Sequence, residues 1–353
     1  MKSFPLSLVA GTIAALCLAV PVAQAQDKSI VLANYGGAWA TLLKKACTDP
    51  FVKQTGIEVT QASTGDSLAQ IRVQQTTGNV LWDISPTEGA ALPISERSKW
   101  LLPIDWKIVD PDNKLPALAR HPYAIGAIAY STTLGYRTDK VPAGKAMSGW
   151  KDFWDVKAFP GPRTLRDTPI ENLEFALIAD GVAPAKVYEV LKAPGGVDRA
   201  FKKLEEIKPA ITVWWTTGQQ PVQLLATGDV HYASTFNGRI TQLQKDKVPV
   251  AMVWNGASMN VSYYSIQKGA RNPQAAMQFM KFCWNDPQRL ADIARDLPYA
   301  GFNPDMYKIL TAEEAKILPT APANAQLQFN FDPEYWADNQ KEILARWQAW
   351  RLK

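Results

Sequence analysis

The 353-residue chain carries 38 Lys and Arg against 33 Asp and Glu, with 47% apolar and 20% charged residues, a balance that excludes disorder and fits a folded globular protein. A formal charge of +5, with no Lys/Arg block, is too slight and too scattered to grip a phosphate backbone, which excludes nucleic acid as a partner. Lys2, the apolar run from Leu6 to Val20 and the small-residue end Ala23-Gln24-Ala25 form the three-part layout of a cleavable export signal over 1–25.

That apolar run is too short, and its exit too polar, for a membrane anchor of about 20 apolar residues. Leu16 before Cys17 is too large for lipoprotein processing, so Cys17 goes with the discarded segment. Cleavage after Ala25 removes Lys2 and takes the formal charge from +5 to +4. The chain from Gln26 to Lys353 is near the practical limit of one core, so two lobes are expected. Cys47 and Cys283 remain in an oxidising compartment, as one disulfide or as two buried thiols. No close Cys/His pair exists beside His121 and His231, which argues against a zinc site.

In chain order, β-branched runs alternate with amphipathic segments, the pattern of an α/β architecture. Strands are expected at Ser29–Asn34, Ile57–Ala62 and Val80–Ile84, with helices at Trp39–Gln54 and Ser67–Thr77 between them. No glycine fingerprint for a dinucleotide or a P-loop follows these strands. Ala124–Ser131 and Leu134–Arg137 are apolar runs where the chain leaves one lobe for another. Helices are expected near Glu171–Ala179, Pro184–Leu191 and Val197–Ile207, and strands at Ile211–Trp215, Val230–Ser234, Val248–Trp254 and Ser262–Gln267. Asn272-Pro273 suits a helix start. The last helix, Trp336–Trp350, sets Trp336, Ile343, Leu344, Trp347 and Trp350 on one face, so its tryptophans are read as packing.

Gly135-Tyr136-Arg137-Thr138-Asp139-Lys140-Val141, Gly149-Trp150-Lys151-Asp152-Phe153-Trp154-Asp155 and Phe159-Pro160-Gly161-Pro162-Arg163 resemble the polyamine-type branch of the periplasmic solute-binding proteins of ABC importers. So do Asn34-Tyr35-Gly36-Gly37, Phe236-Asn237-Gly238-Arg239 and Gln267-Lys268-Gly269-Ala270-Arg271-Asn272. The likeness runs in order along nearly the whole exported chain. It implies a two-lobe type II periplasmic binding protein fold, α/β, each lobe a mostly parallel sheet flanked by helices and joined by crossing strands. We divide the chain into lobe 1 over 26–132 and 260–303, and lobe 2 over 133–259 and 304–353. The resemblance further implies a periplasmic monomer, an inner-membrane ABC permease as partner, no cofactor and no enzymatic activity. Spermidine/putrescine binders and a 4-aminobutyrate binder both belong to this group, so the ligand stays open between a polyamine and an amino-acid-like solute.

Several residues are candidates for the site. Tyr35-Gly36-Gly37 lies just past the first strand, where ligands sit in open α/β sheets, although it also reads as an ordinary turn. Thr87 and Glu88 stand at a similar sheet end, Glu88 as a partner for an amine or as a solvated carboxylate. Of Trp214-Trp215, strand neighbours that point to opposite faces, Trp215 is assigned to the cleft. The resemblance sets Phe236 against ligand methylenes or an ammonium group. Arg239, a turn further on, offers a planar fork for a carboxylate, as does Arg166. Glu171 matches an acidic position of the polyamine binders, but Thr168-x-x-Glu171 is also a capping box, which is preferred. Ser262 replaces an aspartate of the polyamine pattern. Since a buried ammonium needs a charged partner, this tilts the reading toward a ligand with a carboxylate. The alternative is an exported hydrolase or lyase using the interlobe cleft. Against it, no Gly-x-Ser-x-Gly elbow occurs, and His121 and His231 read as structural.

Overall fold

The computed structural model describes Met1 and residues 29–353, so the export signal lies outside the described residues. Parallel pairing starts the first lobe: β1 (Ser29–Asn34) lies between β2 (Glu58–Ser63) and β3 (Ile84–Pro86). Helices cover β1 on both faces, so Ile30, Leu32 and Ala33 are all buried, the continuous apolar run that a central parallel strand needs. β2, at the sheet edge, is largely exposed. The helix expected at 39–54 runs over 37–55, through a π-helical stretch at Lys44–Thr48.

The strand expected at Val80–Ile84 shrinks to Ile84–Pro86. Side chains hold the chain before it: Gln74 Oε1 accepts from the Leu81 and Trp82 amides (2.8 and 3.1 Å), and Asp83 accepts from Val31 N (2.8 Å). Two short strands follow, β4 (Leu101–Leu102) and β5 (Arg120–His121).

The paired runs at 124–137 are one strand, β6 (Ala124–Arg137). In the second lobe, β7 (Arg163–Arg166) pairs in parallel with β8 (Ile211–Trp215) and with β9 (Tyr232–Phe236). The runs at 248–254 and 262–267 also merge, into β10 (Val250–Gln267), which lies antiparallel to β6. Their register breaks between Val253 and Ser258. There Gly256, at φ 77, receives the Trp150 Nε1 hydrogen bond on its carbonyl (2.8 Å) and donates its amide to Leu327 O (2.9 Å). β11 (Phe329–Asn330) adds to β10 beside the break. A single sheet of order β2-β1-β3-β10-β6-β9-β7-β8 therefore runs through both lobes, with the antiparallel β6 and β10 as the crossing.

Each lobe has its own core. Ile30, Leu32, Phe51, Ile84, Phe279 and Trp284 belong to the first, and Trp150, Phe153, Phe175, Leu204 and Trp336 to the second. Met306, Leu310 and Leu318 are buried in the first core, and Phe329 in the second. On that packing we propose that the return crossing lies between Leu318 and Phe329, where 303/304 was expected from sequence. Cys47 and Cys283 form a disulfide within the first core. Trp336, Trp347 and Trp350 of the last helix, Pro333–Arg351, are buried in the second, as packing residues should be.

Candidate functional site

Strand ends from both lobes converge on a cleft. Tyr35 follows β1, Glu88 follows β3, Phe236 ends β9, and Arg239 stands in the first turn of the helix Asn237–Lys245. With Trp39, Ile128, Tyr130, Gly218, Ser262 and Tyr299 they line a cavity of about 350 Å³. A wider cavity of about 830 Å³ adjoins it, sharing Tyr35, Trp39, Arg239 and Tyr299 and adding Gly36, Gly37 and Gln219. Crevices at the carboxyl ends of strands are where open α/β sheets bind ligands.

Glu88 is the acid of the inner cavity. It accepts hydrogen bonds from Ser262 Oγ and from Tyr130 Oη (3.4 Å). Burial pushes its carboxyl up to about 6, against the pull of those two hydroxyls and of Arg166. Ser262 thus stands beside a carboxylate delivered from 174 residues away in sequence.

Arg239 is the base of the lining. Its Nη1 donates to Gln219 Oε1 (2.5 Å) and its guanidinium lies 5.8 Å from the Phe236 ring centre. Gly218 allows this approach: a Cβ there would come within 2.9 Å of Phe236 and 3.2 Å of Arg239. Phe236 is set edge-on against Tyr130 (5.7 Å) and Trp215 (6.0 Å). Burial pushes Tyr299 up to about 12, moderated by Arg239.

Tyr35, Glu88, Phe236, Arg239 and Ser262 thus meet in the inner cavity, and Gly36 and Gly37 join Tyr35 in the outer one. Gly36 adopts φ 71 and Gly37 φ 57, a region that side chains disfavour. Three candidates stand behind the lining. Thr87 is buried, its hydroxyl bonded to Ser265 Oγ (2.8 Å) and its amide to Tyr263 O. Trp215 is 1% exposed, and its Nε1 donates to Ser234 Oγ (3.1 Å). Arg166 lies over the Trp215 ring at 5.4 Å, close enough to lower the carboxyls of both Glu88 and Glu171.

The capping box at Thr168 and Glu171 does not form. Glu171 sits at φ 68 before the helix Asn172–Ala179 with no capping hydrogen bond, and its carboxylate turns to Thr132 and Asn260 instead. Sequence reasoning passed over Trp39, Ile128, Tyr130, Gly218 and Tyr299. Trp39 follows the glycine turn by two residues, and Tyr130 is the polar interruption of the apolar run at 124–131. Tyr299 lies in a loop and carried no periodic signal.

Two half-sheets joined by crossing strands, with a polar and aromatic cleft at their strand ends, define a two-lobe type II periplasmic binding protein. Residues 46–323 match the bacterial extracellular solute-binding protein family. The chain belongs to that family, which makes it a solute-binding protein of ABC import. It is 33% identical to the gamma-aminobutyric acid-binding protein of Pseudomonas aeruginosa, over 94% of this chain and 93% of that one. An ABC transporter substrate-binding protein from Bradyrhizobium japonicum superposes with TM-score 0.84 at 35% identity, covering 91% of this chain and 99% of that chain. The solved structure of a GABA receptor superposes with TM-score 0.82 at 32% identity, covering 91% and 97%.

Proposed function

We propose that this periplasmic receptor captures a zwitterionic amino acid of the 4-aminobutyrate type, closes its lobes over it and hands it intact to an inner-membrane ABC permease. The observation that carries this reading is the opposition of one acid, Glu88, and one base, Arg239, in a single cavity lined by Tyr35, Trp39, Tyr130, Phe236 and Tyr299. The ligand ammonium meets Glu88, and its carboxylate meets the guanidinium fork of Arg239. The aromatic rings cover the methylenes between. The relatives described as binding gamma-aminobutyric acid support the same ligand class.

A polyamine fits this charge pattern less well. With Ser262 where the polyamine pattern has an aspartate, Glu88 offers one carboxylate for one ammonium, and a second ammonium would face Arg239. Burying a charge without a partner costs several kcal/mol. Hydrolase or lyase chemistry finds no support in the histidines, which lie outside the lining. His121 Nε2 is 3.4 Å from the Glu96 carboxylate, and His231 packs at Gly161. Calorimetric titration with 4-aminobutyrate, α-amino acids, dicarboxylates, putrescine and spermidine tests the reading: 4-aminobutyrate should bind most tightly, and preference for a diamine would reject it.

A further inference from the structure

Under the cleft, where the chain crosses between lobes, one carboxylate from the second lobe holds both crossing strands. Glu171 is 4% exposed. Its Oε2 accepts from Thr132 Oγ1 on β6 (2.9 Å), and its Oε1 from Asn260 Nδ2 on β10 (2.9 Å). The register pairs Thr132 with Ser258 and Tyr130 with Asn260, so the two donors sit on adjacent strands, two register positions apart. Asn260 also donates to Ser258 O (3.1 Å). At φ 68, Glu171 occupies a backbone region that residues with side chains avoid, and such a conformation persists where the surroundings over-determine it.

The same residue is tied to the cleft through its own loop. Asn172 Nδ2 donates to Arg166 O and to Thr168 O, both at 2.7 Å. Arg166, which acts on Glu88 across the cleft, and Glu171, which grips the crossing, are thus the two ends of one closed loop. Glu171 itself is absent from the cavity lining.

We propose that Glu171 is the hinge latch, a positioning residue that fixes the angle between the lobes by clamping β6 and β10 through Thr132 and Asn260, without touching the ligand. The inference rests on the reading of the cleft as a closing receptor, though its first test needs no ligand. Spin labels at Val73→Cys and Lys202→Cys, one exposed position on each lobe, report the lobe-to-lobe distance by pulsed electron resonance. In ligand-free protein, Glu171→Gln should broaden or shift that distance, since an amide offers one acceptor oxygen to two donors. Thr132→Val and Asn260→Ala should move it in the same sense, which keeps the test open if Glu171→Gln folds poorly. Combined with Asn260→Ala, Glu171→Gln should add less than its separate effect. Titration with 4-aminobutyrate should then show at least tenfold weaker binding, chiefly through faster release. An unchanged ligand-free distance in all three variants overturns the latch, whether or not affinity or melting temperature falls. If wild-type protein fails to bind 4-aminobutyrate, the ligand reading fails while the distance measurement still decides the latch.

Discussion

Glu88 is held in a state that a cation would change. Burial raises its carboxyl to about 6, so near that pH the empty cleft is partly protonated. An arriving ammonium favours the carboxylate and expels the proton. Affinity for an amine should therefore be full above pH 7 and decline as pH falls through about 6, with proton release on binding setting in near there and growing below it. Calorimetry in buffers of different ionisation enthalpy checks this. Glu88→Gln should cost about 3–5 kcal/mol of binding, the usual penalty for removing one partner of a buried ion pair, and Phe236→Ala about 1–2 kcal/mol. Unchanged affinity in either variant removes that side chain from the site. The structure brings Tyr35, Glu88, Phe236, Arg239 and Ser262, all expected from sequence near strand ends, into one cavity lining, because strand ends are legible as positions. Thr87 and Trp215 are buried behind that lining, because which way a side chain faces at a strand end depends on a partner strand far away in sequence. The Glu88–Ser262 contact joins two such segments, and no local pattern encodes it.

At the scale of elements, the long helix Pro333–Arg351 docks on the second lobe through a buried acid. Glu174 Oε1 accepts from Tyr188 Oη and Trp336 Nε1, both at 2.8 Å, while Oε2 is buried without a partner. Burial pushes this carboxyl up to about 7. A folded-state value above the unfolded one means that its stabilisation is full below about 4.5 and is lost as pH rises through about 7. Glu174→Gln should accordingly gain roughly 3 kcal/mol over wild type at pH 8.5 and little at pH 4.5, read from denaturant midpoints. A gain independent of pH would contradict the assignment. The Cys47–Cys283 bond closes a sequence separation of 236 residues, and replacing both cysteines by serine should cost about 2–5 kcal/mol. Most elements are legible because hydrophobic period and capping are local. The merged strands β6 and β10 are not, because buried polar residues such as Thr132, Thr133 and Ser258 look like breaks until the partner strand is known.

Across the whole molecule, the single sheet through both lobes makes the crossing strands the bending element, with the register break at Val253–Ser258 beside it. A ligand shifts such an equilibrium only by its difference in affinity between open and closed states. On the proposed reading, the Glu88 and Arg239 contacts, drawn from opposite lobes, would supply that difference. Small-angle X-ray scattering of the purified protein, alone and with saturating 4-aminobutyrate or putrescine, reads closure directly. We expect the radius of gyration to fall with 4-aminobutyrate and stay unchanged with putrescine; contraction with putrescine alone, or with neither, would contradict a receptor that closes on a zwitterion.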